Sequence, residues 1–146
     1  MTSDVVRDGD SEPAGPGQTA PIDGMAVFNA LMAGSASLQA HVAEVNALNV
    51  FPVPDGDTGT NMSLTLRAAL DEVGSAEGLA ASEVFRRVSH GALMGARGNS
   101  GVILSQILRG FARALDDKAV LAVQDIAAGL TASAETAYKG VMKPVE

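Results

Sequence analysis

Apolar residues recur every three or four positions along most of this chain, interrupted by stretches rich in proline and glycine. Phe28, Leu31, Met32, Leu38, Val42, Val45 and Leu48 keep that spacing, which lines them along one face of an α-helix. Asp23 stands where an N-cap belongs, so the pattern predicts a single long amphipathic helix from Asp23 to near Leu48. Asn49 to Asn61 breaks it, because Pro52 and Pro54 forbid helix and the glycine and polar positions favour tight turns. A second helix is predicted from about Thr60 to Val73, with Met62, Leu66, Ala69 and Leu70 on one face. Gly74 to Ala81 reads as a connector. Ser82 followed by Glu83 opens a third helix that carries Val84, Phe85 and Val88 toward Ala92. Gly95 to Gly101 reads as a second glycine-rich loop. Behind it Val102, Ile103, Leu104, Ile107, Leu108, Phe111 and Leu115 make a strongly apolar fourth helix, suited to a central position. Asp116-Asp117-Lys118 ends the pattern, and a last helix runs from roughly Val120 to Lys139. No segment alternates strictly as a half-buried strand does, and no internal repeat is present. The predicted fold class is all-α, a bundle of five or more helices.

Met1 to Pro21 departs from this pattern. Asp4, Asp8, Asp10 and Glu12 sit there among prolines and glycines with little to bury, so residues 1–21 are expected to be a disordered leader to a helical domain over 22–146. A chain of 146 residues is long enough for one domain with a real core. With 47% apolar and only 3% aromatic residues, that core must be built from Ala, Leu, Val, Ile and Met, of which Ala, Leu and Met favour helix. The absence of cysteine excludes disulfides and thiolate metal sites and agrees with a cytoplasmic protein. A formal charge of −7 argues against nucleic acid as a partner, since phosphate backbones recruit Lys and Arg. No run reaches the roughly 18 apolar residues of a membrane span, and the polar, acidic first residues do not read as a secretory signal.

Asp55-Gly56-Asp57-Thr58-Gly59-Thr60-Asn61 is the segment with the most chemistry in it. Two carboxylates separated by one glycine can converge on a hard cation, because glycine lets the backbone turn sharply between them. The segment runs straight into a helix, where the Thr60 and Asn61 amides are expected as unpaired donors beside the positive end of the dipole, a seat for phosphate. A plain turn with a helix cap uses the same residue types, so the short motif alone leaves both readings open. An EF-hand does not fit, since its glycine is misplaced and its twelfth position is Leu66. Gly95 to Gly101 also precedes a helix, and its glycines and Ser100 offer a second anion seat; an ordinary interhelical connector is the competing reading. It is neither a Walker A loop, which needs Gly-Lys-Ser/Thr, nor a dinucleotide fingerprint. Arg97 is a candidate phosphate neutraliser but reads first as a loop charge. His41 and His90 read as surface or capping groups, Lys139 and Lys143 as cations near a helix C-terminus, and the methionines as core fillers.

These segments carry a resemblance. Asn46-Ala47-Leu48-Asn49-Val50-Phe51-Pro52-Val53-Pro54-Asp55-Gly56-Asp57-Thr58-Gly59-Thr60-Asn61-Met62 resembles the signature of the ATP-binding subunit of bacterial fatty acid kinase. Leu93 to Gln106 is similar to its second signature, and Thr136 to Glu146 to the opening of its third. The wider superfamily is that of the dihydroxyacetone (glycerone) kinase L subunit. The resemblance covers nearly everything after Pro21. It implies an eight-helix antiparallel barrel with nucleotide and two Mg2+ ions at one end. It carries two metal ligands onto Asp55 and Asp57 and a third onto Asn49, where a neutral amide oxygen is a weaker ligand than a carboxylate. Thr58, Gly59, Thr60 and Asn61 match the phosphate-binding stretch, with Asn99, Ser100 and Gly101 as its second wall. The family's nucleotide domain is longer than this chain, and its third signature continues past Glu146. The expectation is therefore a domain incomplete at its C-terminus, whose exposed core faces invite a homodimer.

The implied activity is an ATP-dependent kinase that transfers the γ-phosphoryl group to a fatty acid carboxylate, delivered by a separate lipid-binding protein. Such an acceptor is already a nucleophile and needs no general base, which fits a sequence offering no His or Lys for that role. The alternatives are a glycerone kinase L-type subunit, a module that holds Mg-ADP without turnover, and an inert helical interaction protein.

Overall fold

The computed structural model describes residues 20–50 and 53–141 of the chain. Among the described residues six helices follow one another: α1 (Gly24–Ala40), α2 (Val42–Ala47), α3 (Thr58–Val73), α4 (Ala81–Gly95), α5 (Gly98–Ala114) and α6 (Val123–Gly140). The fold is all-α, as the periodicity predicts. Among the described residues the one extended pairing is an isolated antiparallel bridge between Ile22 and Leu121. The expected leader lies outside the described residues up to position 19, as does Lys143.

Helices α3 to α6 form an up-and-down series in which each packs on the one before it. α5 also lies against α3, so it touches three neighbours and holds the central place its apolar sequence predicts. α1 packs on α3 and α4, and the short α2 on α3. The core joins Leu66, Leu70 and Val73 of α3 to Val84, Phe85 and Val88 of α4, with Val27, Leu108, Leu115 and Leu121 closing its ends. Burying side chains of this size contributes about 1.5–3 kcal/mol each. The rings of Phe85 and Phe111 stack at 4.7 Å, tying α4 to α5. Elsewhere the helices meet almost backbone to backbone. A Cβ at Gly110 would stand 2.5 Å from the Ala132 carbonyl of α6, and one at Gly91 would stand 2.7 Å from the Ala68 carbonyl of α3. The glycines inside these helices therefore set interaxial distance rather than breaking the helices.

Several boundaries differ from the sequence reading, each for a local reason. The long first helix is two helices, because His41 leaves helical geometry (φ −111°, ψ 12°) and its amide donates to the Leu38 carbonyl three residues back. Its ring Nδ1 pairs with the Ser37 carbonyl at 2.7 Å. Asp23 caps α1 as expected, its Oδ1 accepting from the Ala26 amide at 2.8 Å. Ser82 does not cap α4. The amides of Ala81 and Ser82 donate instead to the carbonyls of Ala119 and Lys118, both at 2.9 Å, so the α5–α6 connector is the cap. The loop predicted over Gly95–Gly101 is only Ala96 and Arg97, because both neighbouring helices extend into it. The Asp116-Asp117-Lys118 break is real, with Asp117 at φ +63°. α6 starts at Val123, where the Asp125 carboxylate accepts from the Ala122 amide at 2.8 Å and pairs with Lys118 at 3.0 Å. That amide first, and Lys118 second, hold the Asp125 carboxyl below its usual range. Met25, Met32 and Met94 are exposed rather than core fillers. Among the described residues no helix is long and apolar enough to cross a membrane.

Glu83, in the first turn of α4, accepts two bonds from Arg86, at 2.6 and 2.8 Å, and one from Arg87 at 3.0 Å. Arg87 reaches on to the Val73 carbonyl at the end of α3. The Arg86 bonds are the main reason that the Glu83 carboxyl falls from 4.5 to about 2. A depressed carboxylate stabilises the fold above its unfolded pKa and loses that contribution as pH drops through the folded one. The Glu83→Gln variant should therefore melt earlier than the parent at pH 7, by at most about 1 kcal/mol because the cluster is solvent-exposed. Thermal melts from pH 7 to 2 should show that difference shrinking below pH 4.5 and vanishing near pH 2.

Candidate functional site

The acidic segment turns at Gly56, whose φ of +65° is a left-handed conformation that a side chain disfavours. This turn separates an exposed Asp55 from a half-buried Asp57. Asp57 is the N-cap of α3, yet its side chain makes no capping bond. Asn49, just past α2, reaches between the two acids. Its Nδ2 donates to Asp55 Oδ1 at 2.6 Å and stands 3.5 Å from Asp57 Oδ1. Both partners are acceptors, so the amide nitrogen must face them. Three side chains thus lie within the reach of one small cation, the carboxylates being held by a neutral donor.

One turn earlier on α2, Asn46 grips the start of α3. Its Oδ1 accepts from the Thr60 amide at 3.1 Å and its Nδ2 donates to Thr60 Oγ1 at 3.0 Å. Gly59 is buried in the same contact, where a Cβ would meet the Val42 carbonyl at 2.8 Å. The phosphate seat expected from the Thr60 and Asn61 amides is therefore corrected. Thr60 N–H is taken by Asn46, and Asn61 N–H donates to the Asp57 carbonyl at 2.9 Å. The amides of Thr58 and Gly59 are the ones that open α3.

α5 supplies the facing wall. Gly98, at φ +63°, lets the chain enter α5 right against the side chain of Asn61. Thr65, fully buried, joins the two walls. Its Oγ1 donates to the Asn61 carbonyl at 2.7 Å and accepts from the Arg97 amide at 3.1 Å.

The result is a cleft of about 270 Å3 at the N-termini of α3 and α5. Of the residues singled out in the sequence, Asn49, Asp55, Asp57, Thr58, Asn61, Asn99 and Ser100 line it. Gly59, Thr60 and Gly101 do not: the first two are engaged with α2, and Gly101 is buried against Thr65 with its amide donating to the Arg97 carbonyl. Arg97 is exposed and outside the lining, and His90 pairs with Glu72 at 3.0 Å on the surface. Among the described residues no three His, Cys, Asp or Glu side chains cluster as a metal cage. Two carboxylates and an amide nevertheless suit Mg2+, which needs few protein ligands and keeps waters and phosphate oxygens for the rest. A larger groove of about 480 Å3 lies between α1 and α3, with Met32, Leu64 and Leu70 in its walls. Its lining carries one Arg67 and one Asp71 and no paired carboxylates, so the smaller cleft, where Asp55 and Asp57 meet, is the candidate site.

Sequence reasoning missed Asn46 and Thr65. A bidentate asparagine and a buried threonine leave no trace in periodicity, because both act across the fold. The Thr65→Val variant keeps shape but removes the acceptor of the Arg97 amide and should cost about 1–3 kcal/mol in urea unfolding.

The DAK2 domain family matches residues 52–146. The chain is 47% identical over 125 residues to Protein YloV of Bacillus subtilis (strain 168), 86% of this chain and 23% of that protein. It is 46% and 45% identical, over the same shares, to uncharacterized proteins of Staphylococcus epidermidis (strain ATCC 12228 / FDA PCI 1200) and Staphylococcus aureus (strain USA300). The chain thus spans about a quarter of the length of these relatives. The acidic turn, both helix N-termini and the cleft between them fall within the matched residues, apart from Asn49, and the chain belongs to the DAK2 domain family, ATP-binding domains of the dihydroxyacetone kinase L-subunit type.

Proposed function

We propose that this chain is the Mg-ATP-binding domain of a kinase that transfers the γ-phosphoryl group to a fatty acid carboxylate presented by a partner lipid-binding protein. The observation that carries this reading is the convergence of Asn49, Asp55 and Asp57 with the N-termini of α3 and α5 on one cleft. Asp55 and Asp57 supply hard oxygen ligands. Asn49 supplies a third once its amide turns its oxygen inward. When bound, magnesium, expected as two ions, neutralises the charge that builds on the phosphates during transfer.

Thr58, Asn99 and Ser100 offer hydroxyl and amide groups to the phosphate oxygens, and the α3 and α5 dipoles favour negative charge at the same place. At 270 Å3 the cleft is below the range of about 300–1,000 Å3 for drug-sized ligands. It suits the metal and phosphate end of the nucleotide, with the adenosine lying beyond its lining. Among the described residues its lining contains no His, Lys or Arg. A carboxylate acceptor needs no base: its oxygen attacks the γ-phosphorus, the bond to the ADP oxygen breaks, and an acyl phosphate and ADP result. A hydroxyl acceptor such as dihydroxyacetone would need its proton removed, so the empty base position favours the fatty acid reading. The same absence is compatible with a module that holds Mg-nucleotide without turnover. The reading places the protein in the cytoplasm, with a homodimer as one way to cover exposed apolar surface.

Calorimetric titration of ATP and ADP into the purified chain, with Mg2+ and with EDTA, tests the site. Binding should require magnesium, should be abolished by Asp57→Ala and by the Asp55→Ala/Asp57→Ala pair, and should weaken on replacing Thr60. A folded parent that binds no nucleotide, or aspartate variants that bind like the parent, would sink the assignment. Phosphoryl transfer would then be sought with a lipid-carrier partner, dihydroxyacetone serving as the competing acceptor.

A further inference from the structure

α2 has six residues and buries none of them. A helix that short does not hold itself together in water, where isolated helices below about 12–15 residues are marginal. It is held in place by α3, through the close approach at Gly59 and the two bonds of Asn46 to Thr60. The Thr60 amide can only donate, so Asn46 must present its oxygen there and its nitrogen to Thr60 Oγ1; the amide has one orientation that satisfies both groups. Asn49 lies three residues further on, one helical turn away, and its nitrogen contacts both Asp55 and Asp57. Asp57 in turn is the N-cap of the helix that Asn46 grips. The Asn46 amide therefore closes a small loop of contacts: α3 holds α2, α2 delivers Asn49, and Asn49 holds the carboxylates against the start of α3.

We propose that Asn46 is a positioning residue of this site, which touches neither metal nor nucleotide but sets the register between Asn49 and the Asp55/Asp57 pair. The inference rests on the Mg-nucleotide reading of the cleft. Asn46 is half-buried and stands outside the apolar core, so its removal acts on the site far more than on the fold.

The test uses the full chain. The magnesium concentration giving half-maximal ADP binding is measured for the parent, Asn46→Ala, Thr60→Val and the double variant, with melting in EDTA recorded for each. Asn46→Ala should raise the half-saturating magnesium concentration about tenfold, as loss of a residue that orients metal ligands does, while its EDTA melt stays with that of the parent. The double variant should be no worse than Asn46→Ala alone, because both changes cut the same tie. An Asn46→Ala variant with the parent's magnesium requirement, or a double variant whose effects multiply, overturns the proposal. So does an Asn46→Ala variant whose EDTA melt collapses, which would make Asn46 a stability residue. A parent that binds no Mg-ADP overturns the functional reading and this inference with it, an outcome distinct from the failure of Asn46 alone.

Discussion

The hydroxyl of Thr65 is the small interaction on which the rest of the site depends. It stands fully buried at the seam of α3 and α5, giving its proton to Asn61 and taking one from the amide of Arg97. Two helices that begin at the same end of the bundle can share one anionic ligand only if their first turns are held at a fixed separation. Apolar packing further down, at Leu66, Leu70 and Leu108, fixes the axes but does not direct the tips. A directional bond at the seam does that, and Gly98 and Gly101 permit the close approach it needs. The cleft is thus a product of helix spacing, with its chemistry added by a turn that precedes α3.

That turn brings together charges that repel. Asp55 and Asp57 are next-but-one neighbours directed to the same space, and among the described residues the Asn49 amide is the side-chain donor between them. An amide is a weak answer to two negative charges in comparison with a lysine or arginine, and this has a use. A cationic side chain would compete with a divalent ion for the same oxygens, whereas a neutral amide can turn and offer its own oxygen. On the proposed reading, that electrostatic demand is left for a divalent ion to meet.

Much of this was legible in the sequence because helices announce themselves locally. The Asp23 cap, the apolar faces of α3 to α5 and the Asp116–Lys118 break all depend on spacing over a few residues. The acidic turn is legible as a turn for the same reason, although Asp-Gly-Asp before a helix serves a plain cap and a cation site alike. What was not legible depended on partners distant in sequence. Ser82 has a capping residue's chemistry, but carbonyls from the α5–α6 connector had already satisfied the α4 amides. Gly95, Gly98 and Gly101 look like a loop, but two of them serve helix packing and only Gly98 needs an unusual backbone. Thr60 looks like a phosphate ligand, but Asn46 of α2 claims its amide and hydroxyl first. Glycine and small polar residues serve turns, tight packing and anion binding alike, and only the surroundings decide among these roles.

The bridge between Ile22 and Leu121 has a consequence for how the molecule assembles. Most contacts from α3 to α6 join helices adjacent in sequence, α3 against α5 being the exception, and can form through short connectors. The bridge joins residues separated by almost the whole described chain, through paired bonds of 3.1 and 2.8 Å. Closing a loop of that length has a large entropic cost that one bond pair repays only when the intervening helices are already docked. Ile22 and Leu121 therefore clasp the entrance of α1 to that of α6, a long-range tie whose stability rests on the docking of the helices between them.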